Sequence, residues 1–425
     1  MISQGNLIES YGAKYFYMFM MFIWMGRTTP LTGFNFTNNP ILMPIYLLIL
    51  LVYFKKYCNY PNLPLRIIVF MYAFWYLILC LKFGGMQEIS FQFLYYLLIA
   101  HIALNLYDKH SFMLLFEKVL VKLCVISLIV WGLANLFPNW FPAFMHTISV
   151  MERRDPTETN SIIVGMGTSF ELGLRRNIGF TWEPGVFSCF VQLGLFINLI
   201  RSRFCIAFRK NINFYILLLT LFSTLSTTGY ATFAIIVLFY LINTSVLSKV
   251  IVSSLAIALI PTIIGLSFMS QKIIHLMDID NEINAMNYYM ANGYAGTTPQ
   301  RFSGMYFEFQ NLIHDFWFGY GNPKNSYVQT TMFPGFELIT SGGVVNVLSR
   351  YGVIFGGFLY LCLYKTTIFL SKSFQYKGTY IFAILFLTIS ISYDFWENCF
   401  LMYLYLFTFY KKVSPSYNNR WENIN

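Results

Sequence analysis

The run NFYILLLTLFSTLSTTGYATFAIIVLFYLINTSVLS, residues 213–248, contains no charged residue across 36 positions. As one continuous helix it would be about 54 Å long, far more than the roughly 30 Å hydrocarbon core of a bilayer. Ser226-Thr-Thr-Gly229 lies at its midpoint, and small hydroxyl residues followed by glycine are typical of a tight turn. The run therefore predicts two membrane-spanning helices joined by a short connection.

The rest of the chain has a similar character. Of its 425 residues, 57% are hydrophobic, 20% are aromatic and only 11% are charged, whereas about a quarter of the residues in soluble proteins are charged. Apolar runs recur at the length that a helix needs to cross a bilayer, and ten-residue alternating strands are not evident. This pattern predicts an all-α polytopic membrane protein.

We predict one integral membrane domain over residues 1–425, with about twelve transmembrane helices and two long polar loops at about 138–181 and 271–340. The first apolar run is followed by Gly26-Arg-Thr-Thr-Pro30 and not by a cleavage site, so we expect it to be the first span. The predicted spans are 14–32, 41–54, 65–83, 89–107, 119–137, 182–200, 213–227, 229–247, 250–268, 341–364, 378–393 and 399–410.

The distribution of Lys and Arg predicts the orientation. Outside the two long loops, 18 of these residues fall on one side of the predicted bundle, and the other side has only Arg27 and Lys82. The positive-inside rule then places both termini in the cytoplasm. Because four predicted crossings separate the two long loops, both loops would face the extracytoplasmic side.

Several functional classes are disfavoured. The net charge of +10 comes from short basic clusters between spans, which argues against nucleic-acid binding. The seven cysteines are an odd number without CxxC spacing, which disfavours a disulfide framework or a zinc cluster. The chain also has no phosphate-binding GxxxxGK[ST] loop. We therefore predict an activity that needs no metal, cofactor or nucleotide.

Candidate functional residues lie where the first loop enters the sixth predicted span. Arg175 and Arg176 are suited to a phosphate or pyrophosphate, because guanidinium groups donate bidentate hydrogen bonds and stay charged. Glu183, next to Pro184, can accept a proton from a sugar hydroxyl. The alternative is structural: the arginines would mark the lipid headgroups and Glu183 would cap the helix that starts at Pro184.

The second loop contains a helical pattern that starts at Arg301. Its apolar residues recur at helical spacing and suggest a helix along the membrane surface; they are Phe302, Met305, Phe309, Leu312 and Ile313. His314 is an acid–base candidate, although a lone histidine in a loop is more often structural. The glycines of Gly319-Tyr-Gly321 predict a turn, which Lys324 follows.

Arg350 lies inside the tenth predicted span. A charged side chain at that depth is energetically costly, and such residues usually face a polar cavity. We therefore predict that Arg350 contributes to substrate binding. The alternative is that its long side chain extends to the membrane surface.

The order of these motifs resembles that of the O-antigen polymerase and ligase superfamily, and specifically Wzy-type polymerases of bacterial surface polysaccharides. The matching pieces are spread across about two-fifths of the chain. They are Arg176-Asn-Ile-Gly-Phe-Thr-Trp-Glu183-Pro-Gly, Leu225-Ser-Thr-Thr-Gly229-Tyr230, Arg301 followed by Gly319-Tyr-Gly321, and Asn325-Ser326 followed by Arg350-Tyr-Gly352.

The resemblance implies an enzyme of the bacterial inner membrane that joins undecaprenyl-pyrophosphate-linked oligosaccharide units on the outer face. Such enzymes act in the biosynthesis of lipopolysaccharide or exopolysaccharide, together with a flippase and a chain-length regulator. Arg176 and Arg301 would stabilise the leaving pyrophosphate, and Glu183 would be the base. Arg175, Tyr230, His314, Lys324 and Arg350 would bind the substrate.

Two alternatives remain open. The ligase branch of the superfamily has a histidine where this chain has Lys324, which favours a polymerase. A non-enzymatic transporter of lipid-linked oligosaccharides is expected to show inverted repeats and paired broken helices. We find no clear internal duplication in the sequence.

Overall fold

The computed structural model shows a mainly helical protein. It describes residues 4–26, 42–58, 63–86, 92–148, 151–152, 159–160, 164–167, 169–244, 279–338, 340, 343–391, 393–396 and 398–410. The predicted ninth span, 250–268, and the first residues of the second polar loop lie outside this set.

The helices account for most of the described chain. They are α1 (Gln4–Gly26), α2 (Leu42–Tyr57), α3 (Leu63–Lys82), α4 (Gln92–Leu106), α5 (Lys109–Leu136), α6 (Trp140–Ile148), α7 (Pro184–Arg201), α8 (Ile212–Ser223), α9 (Thr227–Asn243), α10 (Ile279–Ala291), α11 (Arg301–His314), α12 (Gly343–Phe374), α13 (Ile381–Ser390) and α14 (Cys399–Tyr410). A 3₁₀ turn (Pro323–Asn325) and a π-helical turn (Val328–Met332) connect α11 to α12.

Short strands pair in twos within the two polar segments. The antiparallel pairs are β1 (Met151–Glu152) with β2 (Thr159–Asn160), and β3 (Phe170–Glu171) with β4 (Leu174–Arg175). The parallel pair is β5 (Gly296–Thr297) with β6 (Glu337–Leu338), in which Gly296 lies opposite Glu337. This last pair ties the segment before α11 to the segment before α12.

Several helices have the length and composition of membrane spans. Among the described residues, α7, α12 and the Leu65–Lys82 part of α3 are long and apolar enough to cross a bilayer. Shorter apolar helices are α8, α9, α13 and parts of α4 and α14. These helices indicate a membrane protein, and the total of twelve spans stays a prediction.

The charge-free run 213–248 is divided as predicted. Helix α8 ends at Ser223, Leu225 adopts a positive φ of 47°, and α9 begins at Thr227. The Ser226 hydroxyl caps α9 by accepting the Gly229 N–H at 3.2 Å. Gly229 itself lies in the first turn of α9 and not in the connection. An added Cβ there would meet the Ser188 side chain of α7 at 3.0 Å, so glycine permits close packing of α9 on α7.

Helix α7 occupies the centre of the bundle. Every residue from Pro184 to Leu199 is buried, and α5, α8 and α9 pack around it. A helix buried all round is expected to be mainly apolar, and α7 follows that rule except for Ser188, Gln192 and Asn198, which form hydrogen bonds. Gly194 has no space for a side chain, because a Cβ there would overlap Leu120 of α5. The start of α7 is therefore positioned by three neighbouring helices.

A buried ion pair joins α5, α7 and α8 at the end of α7 opposite Pro184. The fully buried Glu117 carboxylate pairs with Arg201, whose Nη2 lies 3.0 Å from Glu117 Oε1. The same oxygen accepts the side-chain amides of Asn198 at 2.9 Å and Asn213 at 2.8 Å. Four donated bonds satisfy the carboxylate, which is the condition for burying a charge.

Replacing Arg201 with alanine is expected to destabilise the protein by about 3 kcal/mol, because it leaves the buried Glu117 charge with two amide donors only. Thermal unfolding in detergent, followed by tryptophan fluorescence, measures the change. Arg209→Ala is the matched control, because Arg209 is exposed in the neighbouring connection between α7 and α8. Equal melting temperatures for the two variants would contradict the prediction.

Candidate functional site

The first polar loop turns back into the bundle before α7 begins. The backbone N–H of Arg175 donates to Asn135 Oδ1 at 2.8 Å, and Trp131 Nε1 donates to the Arg175 carbonyl at 2.6 Å. Two residues later, Asn177 Nδ2 donates to Ser127 Oγ at 3.2 Å. The chain therefore runs antiparallel to the last turns of α5, from its C-terminal end toward its middle.

Asn177 anchors this returning segment. It is buried, its backbone N–H donates to the Ser223 carbonyl at 3.0 Å, and its side chain donates to Ser223 Oγ at 2.9 Å. Its Oδ1 accepts the Gly179 N–H at 3.0 Å. Gly179 has a φ of +56°, and a Cβ there would overlap the ring of Phe187. Protein groups thus satisfy the polar backbone atoms of this buried irregular segment, as buried backbone requires.

Arg176 lies between this segment and the start of α9. Its Nε donates to the Thr224 carbonyl at 3.1 Å, so the guanidinium contacts the α8–α9 connection directly. Burial lowers the pKa of Arg176, and the nearby charges of Glu171 and Glu183 and the Tyr230 hydroxyl oppose that shift. Because the shift remains downward, the carboxylates only partly compensate for the lost hydration of the cation. A further anion would be favourable there.

Glu183 and Arg301 connect the two polar loops. Glu183 occupies the N-cap position of α7, but its carboxylate makes no capping bond to the described start of that helix. It forms an ion pair with Nη2 of Arg301, the first residue of α11. Gly185 leaves room for the carboxylate, because a Cβ there would stand 3.2 Å from Glu183 Oε1. The Glu183 side chain therefore does not cap α7 through a hydrogen bond.

The carboxylate of Glu183 thus pairs with Arg301 and lies within electrostatic range of Arg176. These three residues are called here the arginine cluster. The side chains of Arg301 and Glu183 are 27% and 39% exposed, so a ligand can reach the pair. Glu171 adds a second carboxylate near Arg176, so the charges around the cluster are close to balanced. The two guanidiniums can still donate several hydrogen bonds to an anion with several oxygen acceptors.

The other predicted binding residues are distributed differently. The Arg175 guanidinium stacks 4.6 Å over the Phe170 ring and donates to the Gly167 carbonyl, so it serves the β3–β4 hairpin. The Tyr230 hydroxyl donates to the Phe222 carbonyl at 3.0 Å, and Tyr230 interacts electrostatically with Arg176. It therefore borders the arginine cluster.

His314 and Lys324 both lie on the outside of the second polar segment. His314 is exposed at the end of α11, where its ring stacks on Tyr327 with 3.5 Å between centroids. Lys324 is exposed in the 3₁₀ turn. The stacked arrangement of His314 favours the structural interpretation of that residue.

A polar cavity of about 330 Å³ lies beside α11. Arg350 lines it, in agreement with the prediction that this arginine faces a polar cavity. The lining also includes Glu308, Asn311, Tyr320, Ser326, Gln329, Glu337, Thr340 and Asn346. The volume falls within the range of about 300–1,000 Å³ that is usual for small-molecule sites.

Glu308 is the buried charge at the wall of this cavity, and the sequence did not single it out. Thr340 and Ser349 donate hydroxyl protons to its two oxygens, and the Tyr320 hydroxyl lies 3.3 Å from both. Asn311 Nδ2 donates to Oε2 at 3.5 Å. These donors come from four places in the chain, so spacing along the sequence gave no signal. The one available signal was that Glu308 follows Arg301 by two helical turns on the same face of α11.

Two glycine motifs from the sequence interlock in space. Gly319 has a φ of +72°, and a Cβ there would overlap the carbonyl of Arg350. Gly352 breaks α12 with φ and ψ of 69° and 171°, and a Cβ there would overlap the carbonyl of Trp317. The N–H of Gly321 donates to the Arg350 carbonyl at 3.0 Å. This junction positions both Tyr320 and Arg350 at the cavity.

Helix α3 supports the same junction from its other side. Trp75 Nε1 donates to the Phe318 carbonyl at 2.8 Å, and Lys82 pairs with Asp315 and donates to the Gly319 carbonyl at 3.2 Å. Lys82 is one of the two cations that the sequence placed on the outer side of the bundle. Its position beside the second polar segment is consistent with that placement.

Helix α11 buries polar residues and exposes apolar ones. Its inner side contains Ser303, Glu308 and Asn311, which are buried. Large apolar side chains at its outer surface and just beyond its end are Phe302, Phe309, Ile313, Phe316 and Trp317, which are 40 to 62% exposed. The expected apolar face is therefore split, because Leu312 is buried while Phe302, Phe309 and Ile313 face outward. Exposed apolar surface of this kind is typical of contact with lipid or another protein.

Comparison of the chain with protein-family models, curated proteins and solved structures gave no match.

Proposed function

We propose that the protein is a polymerase of lipid-linked oligosaccharides, and that the arginine cluster binds the pyrophosphate of the substrate. The observation that carries the proposal is the ion pair between Arg301 and Glu183, with Arg176 within electrostatic range of the same carboxylate. A pyrophosphate offers more acceptor oxygens than one carboxylate, and arginine binds phosphate groups bidentately. The downward shift in the pKa of Arg176 also favours an added anion.

The surroundings of the cluster suit an amphiphilic ligand. The cluster lies at the start of the buried helix α7, while α11 presents exposed apolar residues outward and a polar cavity inward. A polyprenyl chain can remain in lipid beside the apolar surface while the oligosaccharide enters the polar side. A free nucleotide-sugar has no lipid chain that could contact the apolar surface.

The proposed reaction transfers a growing chain onto a new unit. A hydroxyl of the acceptor sugar attacks the anomeric carbon of the donor chain, and the bond from that carbon to the pyrophosphate oxygen breaks. The arginines stabilise the charge that develops on the leaving undecaprenyl pyrophosphate. Pyrophosphate also competes with Glu183 for Arg301, and a carboxylate released from that pair can accept the hydroxyl proton.

The proposal includes the membrane arrangement expected from the sequence. It places about twelve spans in the bacterial inner membrane, both termini in the cytoplasm and the two polar segments outside. The contact between Arg301 and Glu183 supports this arrangement, because the two polar segments must lie on the same side to form it. The resemblance to Wzy-type polymerases supports the choice of substrate, and a flippase and a chain-length regulator are the expected partners.

Reconstitution tests the proposed activity. The full chain in liposomes, supplied with undecaprenyl-pyrophosphate-linked repeat units, is expected to form a ladder of products and to release undecaprenyl pyrophosphate in step with elongation. In cells, deletion of the gene should leave single repeat units, and the wild-type gene should restore the ladder. Long chains that persist on the lipid carrier in the deletion strain would indicate a ligase. Unmodified units that cross the liposome membrane would indicate a transporter.

A further inference from the structure

The cavity wall is rich in hydrogen-bond acceptors, and Glu308 is the cause. A hydroxyl group has a single proton, and Thr340 directs its proton to the Glu308 carboxylate. The Tyr320 hydroxyl faces acceptors only, the Glu308 carboxylate and Asn346 Oδ1, each at 3.3 Å. Toward any molecule in the cavity, these two hydroxyl oxygens can therefore act only as acceptors. The carboxylate of Glu337, which lines the same cavity, adds further acceptors.

The cavity also has a charged donor in its lining. Arg350 lines it with a guanidinium group, which has five N–H donors and no acceptor. The cavity therefore matches a ligand with several hydroxyl donors and at least one oxygen that accepts from arginine. A sugar ring has this composition, whereas a lipid chain or a fully ionised phosphate chain does not.

The distance from the arginine cluster also fits a single ligand. Arg301 and Glu308 are seven residues apart on α11, which places them on the same side and about 10 Å apart along the helix axis. A molecule with pyrophosphate at Arg301 can extend its sugars along this side of α11 into the cavity.

We propose that the cavity between α11 and α12 binds a sugar ring of the lipid-linked oligosaccharide, and that the hydroxyls oriented by Glu308 accept hydrogen bonds from it. This inference rests on the proposed function for the identity of the whole substrate. It adds a separate sugar subsite, with Glu308 as a positioning residue that holds Thr340 and Tyr320.

The test uses the full chain in detergent and two separate ligands. Saturation-transfer NMR measures the binding of glucose, galactose, N-acetylglucosamine and glucuronate, and calorimetry measures the binding of inorganic pyrophosphate. Thr340→Val and Asn346→Leu are expected to weaken binding of the preferred sugar about tenfold each, as expected for the loss of one good acceptor, with pyrophosphate binding unchanged. Arg301→Ala is expected to weaken pyrophosphate binding and to leave sugar binding unchanged.

Glu337→Gln keeps the test independent of folding, because Glu337 is exposed in the short strand β6. It is expected to weaken sugar binding several-fold without a change in melting temperature. Sugar binding that is equal in wild type and all three cavity variants, or no binding of any of the four sugars to wild type, would overturn the subsite. If the wild-type protein binds a sugar but does not bind pyrophosphate, the proposed function is overturned and the cavity remains a sugar site.

Discussion

Replacement of Arg301 with alanine is expected to lower the rate of chain elongation about 100- to 1,000-fold, the usual loss when one preorganised donor to a developing charge is removed. Arg301 is the only residue of the second polar segment that the described structure places in the arginine cluster. Arg176→Ala is expected to give a similar loss, with an added effect on the α8–α9 connection through its bond to Thr224.

The rate of undecaprenyl pyrophosphate release from reconstituted protein measures both effects. Arg301→Lys should recover little activity, because an ammonium group cannot reproduce the bidentate contact of a guanidinium. Arg209→Ala, which removes an exposed arginine at the other end of α7, should elongate chains at the wild-type rate. Wild-type rates in both Arg176→Ala and Arg301→Ala would remove the proposed leaving-group site.

A second large effect is expected at Gly352, where alanine should destabilise the protein by at least about 3 kcal/mol. The observed φ and ψ of 69° and 171° lie in a region that is essentially restricted to glycine, and residues forced there cost about 1–3 kcal/mol. The overlap of the new Cβ with the Trp317 carbonyl adds to this cost. Activity should fall as well, because the same junction positions Tyr320 and Arg350.

Gly357→Ala is the matched control for this substitution. Gly357 lies in the same helix, and its Cβ would meet only the Val353 side chain at an ordinary 3.9 Å. Since alanine favours a helix interior over glycine by about 0.5–1 kcal/mol, this variant should be as stable as wild type or slightly more stable. Thermal unfolding of both variants in detergent is the measurement, and a Gly352→Ala protein with the wild-type melting temperature would contradict the expectation.

The elements that the sequence predicted well are those with local signals. The break at Ser226 was visible because a capping hydroxyl interrupts an apolar run, and the end of the first loop was visible because Glu183 precedes a proline suited to a helix start. Among the predicted site residues, Glu183 contacts Arg301 and lies within electrostatic range of Arg176, and their assignment to a pyrophosphate site stays a prediction. Their catalytic roles also stay predictions.

The elements that the sequence could not predict depend on contacts between distant residues. Glu117 is separated by 84 positions from its partner Arg201, and Glu308 by 41 from Ser349. Neither carboxylate stands in a recognisable sequence pattern. The sequence alone therefore could not distinguish a glutamate that has a distant partner from one that has none. The interlocked backbones at Gly319 and Gly352 also become visible only when both turns are placed together.

The separation of Arg301 from Glu183 by 118 positions also has a consequence for biosynthesis. Contacts near in sequence form before distant ones, because closing a longer loop costs more entropy. The glycine junction between α11 and α12 joins nearby segments, whereas the arginine cluster needs α7 and α11, between which α8, α9 and α10 are described. Under the proposed function, a ribosome-bound chain that has exported only its first polar loop would have no assembled pyrophosphate site, and transfer would begin only after the later helices have entered the membrane.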